Sequence, residues 1–178
     1  MDFDTPVVVT NDLEKRIAEA FSMFDHIGNK TIDVREVGTI LRFLGCTPTE
    51  QEINEIISAT EFEDTRGTIH LSRFLSHVCQ LLTERKMEPV SPEKLLEAFQ
   101  VLDPDGNGFL TKEFMSKIMM EEGEPFTQEE LDEMMAVAID PQTGNISYEY
   151  YLNQLMYEPK ESIFELAANA KALQSKKF

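Results

Sequence analysis

Asp103, Asp105 and Asn107 place oxygen-bearing side chains at alternate positions of the stretch VLDPDGNGFLTKEF, and Gly108 follows at the sixth place counted from Asp103. Alternating oxygens beside a glycine that permits a sharp turn suit a hard divalent cation, calcium above all. In a working twelve-position loop the seventh place gives a backbone carbonyl, the ninth a further ligand and the twelfth a bidentate glutamate. Those places fall here to Phe109, Thr111 and Phe114. A phenyl ring offers no oxygen where two of about seven should come from. Its loss weakens binding on the order of a hundredfold or more, about 3 kcal/mol. Glu113 stands one place early, where the start of a helix turns it roughly 100° from the ion. The set Asp103, Asp105, Asn107, Phe109 and Thr111 is therefore a degenerate loop, expected to bind calcium weakly or not at all, with no cofactor required.

The other three loops depart further. In the first, Asp25 is followed by Ile27 at position three and Lys30 at position six, although Asn29, Asp33 and Glu36 remain. A lysine near the ion is unfavourable, and Asp33 with Glu36 at a helix start also reads as a capping box that needs no metal. Counting back from Gly67 puts Phe62 first and Arg73 twelfth in the second loop, leaving Asp64 as its acid at a ligand position. The fourth, IDPQTGNISYEY, has Tyr150 at position twelve, and a one-residue shortening displaces Asp140. All four keep an apolar residue at position eight, namely Ile32, Ile69, Leu110 and Ile146. Paired loops join there through a short antiparallel β contact, so pairing can outlast chelation.

The elements that hold these loops repeat. A shift of 78 positions, Asp25 onto Asp103, lays Ile17, Ala20, Phe21 and Phe24 on Leu95, Ala98, Phe99 and Leu102. Past Phe62 the shift becomes 77, so that Gly67, Ile69 and Phe74 meet Gly144, Ile146 and Tyr151. Such self-similarity marks two related halves, each read as helix, loop, helix, linker, helix, loop, helix. Asn11 or Asp12 precedes the stripe Leu13, Ile17, Ala20, Phe21 and Phe24, one buried helical face. A second helix is predicted over 34–44, stopped by Gly45. Thr49 with Glu52, and Thr127 with Glu130, form capping boxes for the inner helices. A fourth helix is predicted over 72–84.

Pro89 and Pro92 forbid one continuous helix between the halves, and Ser91 reads as a cap with Pro92 at the first helical position. The predicted organisation is all-α: an N-terminal extension over 1–10, a four-helix lobe over 11–84, a linker over 85–92, a second lobe over 93–158 and a C-terminal tail over 159–178. Ser162 opens the tail, whose Ile163, Leu166, Ala167, Ala170 and Leu173 form a modest apolar stripe. That stripe fits either packing on its own protein or contact with a partner.

Composition narrows the function. The 178 residues carry a net charge of −17, which argues against nucleic acid and favours a basic partner. Cys46 and Cys79 have no metal-ligand or redox spacing and read as reduced thiols. His26, His70 and His77 lack ligand or nucleophile spacing, and no phosphate-binding glycine loop is present, so no enzyme is expected. No apolar run approaches the roughly 20 residues of a membrane span, and the acidic start is no signal peptide. The expectation is a soluble, intracellular protein that meets no membrane.

Over about residues 12–157 the chain resembles the calmodulin-like EF-hand superfamily. Within it, FDH, NKTIDVREVGTILRFLGCTPTE, ERK, EEGEPFTQEE and AIDP leading to ISYEYY are most similar to the subunit-eight family of the axonemal nexin-dynein regulatory complex. The resemblance implies two EF-hand lobes and a place in the cytoskeleton of motile cilia or flagella, in the complex that links doublet microtubules and restrains dynein-driven sliding. It also implies other subunits of that complex as partners, with the doublets contacted indirectly. The residues themselves point to a groove for an amphipathic helix, because six of the nine methionines lie in the second half and Met adapts to varied partners. The candidate groove residues are Phe99, Met115, Met119, Met120, Leu131, Met134, Met135 and Met156, although several also suit a core. A calcium-insensitive structural adaptor is the first reading; a weak calcium sensor using the third loop on a cytoskeletal target is the alternative.

Overall fold

The computed structural model describes residues 7–62, 66–155 and 162–175. The chain divides into two compact units, Met1–Pro89 together with Pro159–Phe178, and Val90–Glu158.

The first unit begins with α1 (Asp12–Ser22), whose N-terminus is held by Asn11 accepting the Glu14 N–H at 2.9 Å. Its stripe Leu13, Ile17, Ala20 and Phe21 is buried. Strand β1 (Thr31–Asp33) leads into a 3-10 turn, Val34–Glu36, before α2 (Val37–Phe43). The helix expected over 34–44 thus starts tighter than an α-helix. Asp33 accepts the Arg35 N–H and grips the Arg35 guanidinium, so Arg35 takes the place on Asp33 that a capping box would give to Glu36. Gly45 then turns left-handed at φ +89° and ends the run. Helix α3 (Glu50–Thr60) opens on the Thr49–Glu52 capping box, β2 (Thr68–His70) follows, and α4 (Leu71–Thr83) completes the lobe. Strands β1 and β2 pair antiparallel with Ile32 opposite Ile69, as the position-eight pattern requires.

Two more segments belong to this unit. The predicted linker does not start at residue 85, because Met87 is buried and its carbonyl accepts the Thr47 N–H at 2.9 Å. Of the two readings open for the tail, the structure has it packed on its own protein. Helix α9 (Ile163–Ser175) lies against α1 and α4, and Ile163, Phe164, Leu166, Ala167 and Ala170 share one apolar cluster with Leu13, Ile17, Phe21, Phe74 and Val78. Of the predicted stripe only Leu173 stays out, 60% exposed.

The second unit repeats the plan with α5 (Pro92–Leu102), β3 (Phe109–Thr111), α6 (Lys112–Glu121), α7 (Gln128–Ala138), β4 (Asn145–Ser147) and α8 (Tyr148–Leu155). Ser91 caps α5 with Pro92 in the first turn. Leu110 faces Ile146 across the β3–β4 pair. The Thr127–Glu130 box holds the start of α7, with the Thr127 N–H donating to the Glu130 carboxylate at 2.8 Å. Thr127→Ala is expected to cost about 1 kcal/mol, read as a lowered thermal midpoint of the second unit.

Candidate functional site

Asp103 is the best-held residue of the third loop. It is 6% exposed. One carboxylate oxygen accepts the Asn107 N–H at 3.0 Å, and the other accepts the Gly108 N–H at 2.8 Å. That second oxygen also accepts the hydroxyl of Tyr148 at 3.1 Å. Tyr148 belongs to the partner loop, 45 residues away, so a phenol ties the two loops together through a residue at a calcium-ligand position. Its ring stacks on Phe99 at 5.6 Å between centroids. Sequence reasoning missed this residue. The available signal was an aromatic residue directly after the Asn145–Ser147 stretch, at the start of the last helix of the unit.

Asp105, Asn107, Phe109 and Thr111 are exposed. The Thr111 hydroxyl accepts the Phe114 N–H at 3.3 Å and caps α6. Phe114 is 42% exposed, and Glu113 is an exposed residue of the first turn of α6. The donor set falls short of a full calcium site: position twelve holds a hydrocarbon, and the position-one carboxylate accepts from three residues of the protein, Asn107, Gly108 and Tyr148. Among the described residues, no group of three or more His, Cys, Asp or Glu is gathered so as to hold a metal ion.

The charge of Asp103 is stabilised where it stands. Burial pushes its carboxyl up, but the Asn107 and Gly108 N–H groups and the Tyr148 hydroxyl outweigh burial and hold it below the usual carboxylate value. An acid with a depressed folded-state pKa stabilises the fold above its unfolded value, about pH 4, and that contribution is lost as pH falls through the folded value. The second unit is therefore expected to lose stability below about pH 4. Asp103→Asn should flatten that dependence, as read by tyrosine near-UV circular dichroism.

The other loops replace chelation with different contacts. In the first, the Asp25 carboxylate accepts the N–H groups of Gly28, Asn29 and Lys30, and Lys30 itself takes the left-handed turn at φ +62°. In the second, Arg73 at position twelve lies over the ring of Phe62 at position one, 4.0 Å from its centroid. A cation–π pair thus joins the two ends that an ion would bridge. Asp64 lies outside the described residues. In the fourth, Asp140 accepts the Gln142 N–H and the Thr143 hydroxyl, while Tyr150 is 64% exposed.

The candidate groove residues separate by burial. Phe99, Met115, Leu131 and Met135 are buried in the core of the second unit, and Leu131 and Met135 also line a cleft of about 390 Å³ between α6 and α7. Met119 and Met134 are half-buried against that core, and Met120 is exposed. Met156 lies outside the described residues. The open apolar surface also includes Leu95, Leu96, Ala98 and Leu155, none of which was picked out as a groove residue. It belongs to a strongly acidic body: residues 90–158 carry three Lys against fifteen Asp and Glu, a net of −12 within the −17 of the chain.

His70 caps α4 through Nδ1, which accepts the Ser72 N–H at 3.2 Å. Burial pushes the thiols of Cys46 and Cys79 up to about 12, which leaves them protonated and poor nucleophiles. Among the described residues, no helix is long and apolar enough to cross a membrane.

Residues 92–154 match the model of an EF-hand domain pair. The chain is 46% identical over 147 residues to mouse dynein regulatory complex protein 8, covering 83% of this chain and 90% of that protein. It is also 46% identical over 118 residues to the human protein of the same name, covering 66% of this chain and 44% of that protein. A putative calmodulin-like protein of rice is 33% identical over 138 residues, which span 78% of this chain and 80% of that one. Among solved structures, the Physarum polycephalum myosin II regulatory domain superposes with a TM-score of 0.60 at 26% identity, over 83% of this chain and 95% of that chain. Mlc1p, solved bound to IQ2 of the class V myosin Myo2p, has the same fold at a TM-score of 0.61 and 24% identity, over 79% of this chain and 96% of that chain. With two EF-hand pairs and near-complete coverage of the mouse protein, the chain belongs to the dynein regulatory complex protein 8 family of the calmodulin-like EF-hand superfamily.

Proposed function

We propose that this protein is a non-enzymatic structural adaptor of the dynein regulatory complex in the axoneme of cilia or flagella. It clamps an amphipathic, basic helix of a larger subunit of that complex, and through it helps regulate microtubule sliding and motility. It does so without regard to calcium. The observation that carries this reading is the state of the third loop, where Phe114 stands at position twelve and Asp103 is bonded to Tyr148 beside an intact apolar repeat. A lobe whose loops are held by its own side chains keeps one shape at any ion concentration, as a light chain does and a sensor does not. Family membership favours the location, and the net charge of the second unit favours a basic partner.

Calcium titration calorimetry with circular dichroism tests the ion part: no micromolar heat and no spectral change are expected. Micromolar binding with a structural change would remove this reading. Cross-linking mass spectrometry on isolated axonemes tests partner and place, with cross-links expected to a helical segment of another subunit of the complex.

A second reading, a weak calcium sensor, draws on the Asn107 and Gly108 N–H groups, which fold the loop around Asp103 as a chelating loop is folded. Terbium luminescence separates the two. A signal in the wild type that Asp103→Ala abolishes would favour the sensor.

A further inference from the structure

The internal repeat makes the first unit a template for the second. On α9, the buried Ile163, Phe164, Leu166, Ala167 and Ala170 fall at i, i+1, i+3, i+4 and i+7. That is the stripe with which an amphipathic helix occupies a groove. Lys171 Nζ donates to the Thr83 carbonyl at the end of α4, 3.5 Å away, a cation placed at the negative end of a helix dipole.

The helices that α9 covers, α1 and α4, correspond to α5 and α8 under the repeat. Ile17, Ala20 and Val78 are all buried in the cluster that α9 joins. Their counterparts differ: Leu95 is half-buried, Ala98 is exposed and Leu155 is 49% exposed. A cleft of about 300 Å³ opens between α5 and α8, lined by Pro92, Glu93, Leu96, Glu149, Leu152 and Asn153. Charge separates the units as well. The second holds −12 of the −17, which leaves −5 on the first, whose groove is filled from within.

We propose that α9 is a resident target helix that closes the first unit, so that the protein takes its scaffold helix on the α5–α8 face of the second unit alone. This rests on the helix-clamp reading above. The occupant shares the apolar spacing of α9 but differs in its polar face, which must be rich in Lys or Arg to meet Glu93, Glu149 and the surrounding acidic surface. Binding is then single-sited, unlike a clamp that closes both lobes around one target.

The probe is a synthetic amphipathic peptide of Leu and Lys, titrated into the full chain and into Ala167→Lys, which places a charge at the centre of the α9 contact. For the wild type, calorimetry is expected to give one equivalent, and hydrogen exchange should gain protection in α5 and α8 with α1, α4 and α9 unchanged. Ala167→Lys should bind two. Exchange mapping on the wild type needs no variant, so a poorly folded Ala167→Lys leaves the test intact. Protection of α1 and α4 with deprotection of α9 would overturn the proposal while leaving the helix-clamp reading in place, as would two equivalents on the wild type. No binding by either chain would overturn both. A peptide-free wild type that sediments as a dimer, and a monomeric Ala167→Lys, would make α9 of a second copy the occupant and overturn it too.

Discussion

Phe114→Glu is expected to raise the calcium affinity of the third loop by at least about a hundredfold, close to 3 kcal/mol, with the other three loops silent. The remaining frame is in place. Asp103, Asp105 and Asn107 keep their spacing, Gly108 takes the turn at φ +78°, and β3 is already paired with β4. Phe114 is more than a third exposed, so exchanging it removes little core. The substitution also completes a capping box, because the Thr111 hydroxyl already accepts the N–H of residue 114. Stability should therefore hold or rise in the absence of calcium. Terbium luminescence and calorimetry read the gain, and Asp103→Ala added to Phe114→Glu should erase it. If Phe114→Glu binds no better than the wild type, the Tyr148 bond keeps the ion out by itself. Adding Tyr148→Phe would then restore binding.

The second large effect lies in the first unit. Phe74 is fully buried and packs on Phe21 with ring centroids 5.3 Å apart. Phe74→Ala is expected to cost about 3–5 kcal/mol, the range for a buried aromatic that leaves a cavity. That is a large part of the 5–15 kcal/mol typical of a whole domain, and about 15 °C or more in thermal midpoint. Because α9 shares the same cluster, its exchange protection should fall together with that of α1 and α4. A loss below about 1 kcal/mol, or an α9 that keeps its protection, would show that α9 is held by something other than this core.

Local chemistry was legible in the sequence, and distant chemistry was not. Thr49 with Glu52 and Thr127 with Glu130 could be read because both partners of each capping box lie within one turn. Position-eight pairing was legible too, since Ile32 with Ile69 and Leu110 with Ile146 follow from the loop count alone. The Tyr148–Asp103 bond spans 45 residues, and the Lys171–Thr83 contact 88. No local pattern encodes which of two similar units a tail will choose. The methionines show a related limit of local pattern: periodicity places a residue on the inner face of a helix but does not tell core from groove. Met115 and Met135 are buried, and Met119 and Met134 are half-buried against the same core.

One half of the protein is assembled from both sides of the other. Ribosomes make α1 to α4 first, then all of the second unit, and only then α9. About 80 residues separate Thr83 from Ile163, an interval of roughly 4–16 s at ordinary elongation rates. Over that time the earliest-made helices carry an uncovered oily seam, so the part translated first is the part that matures last.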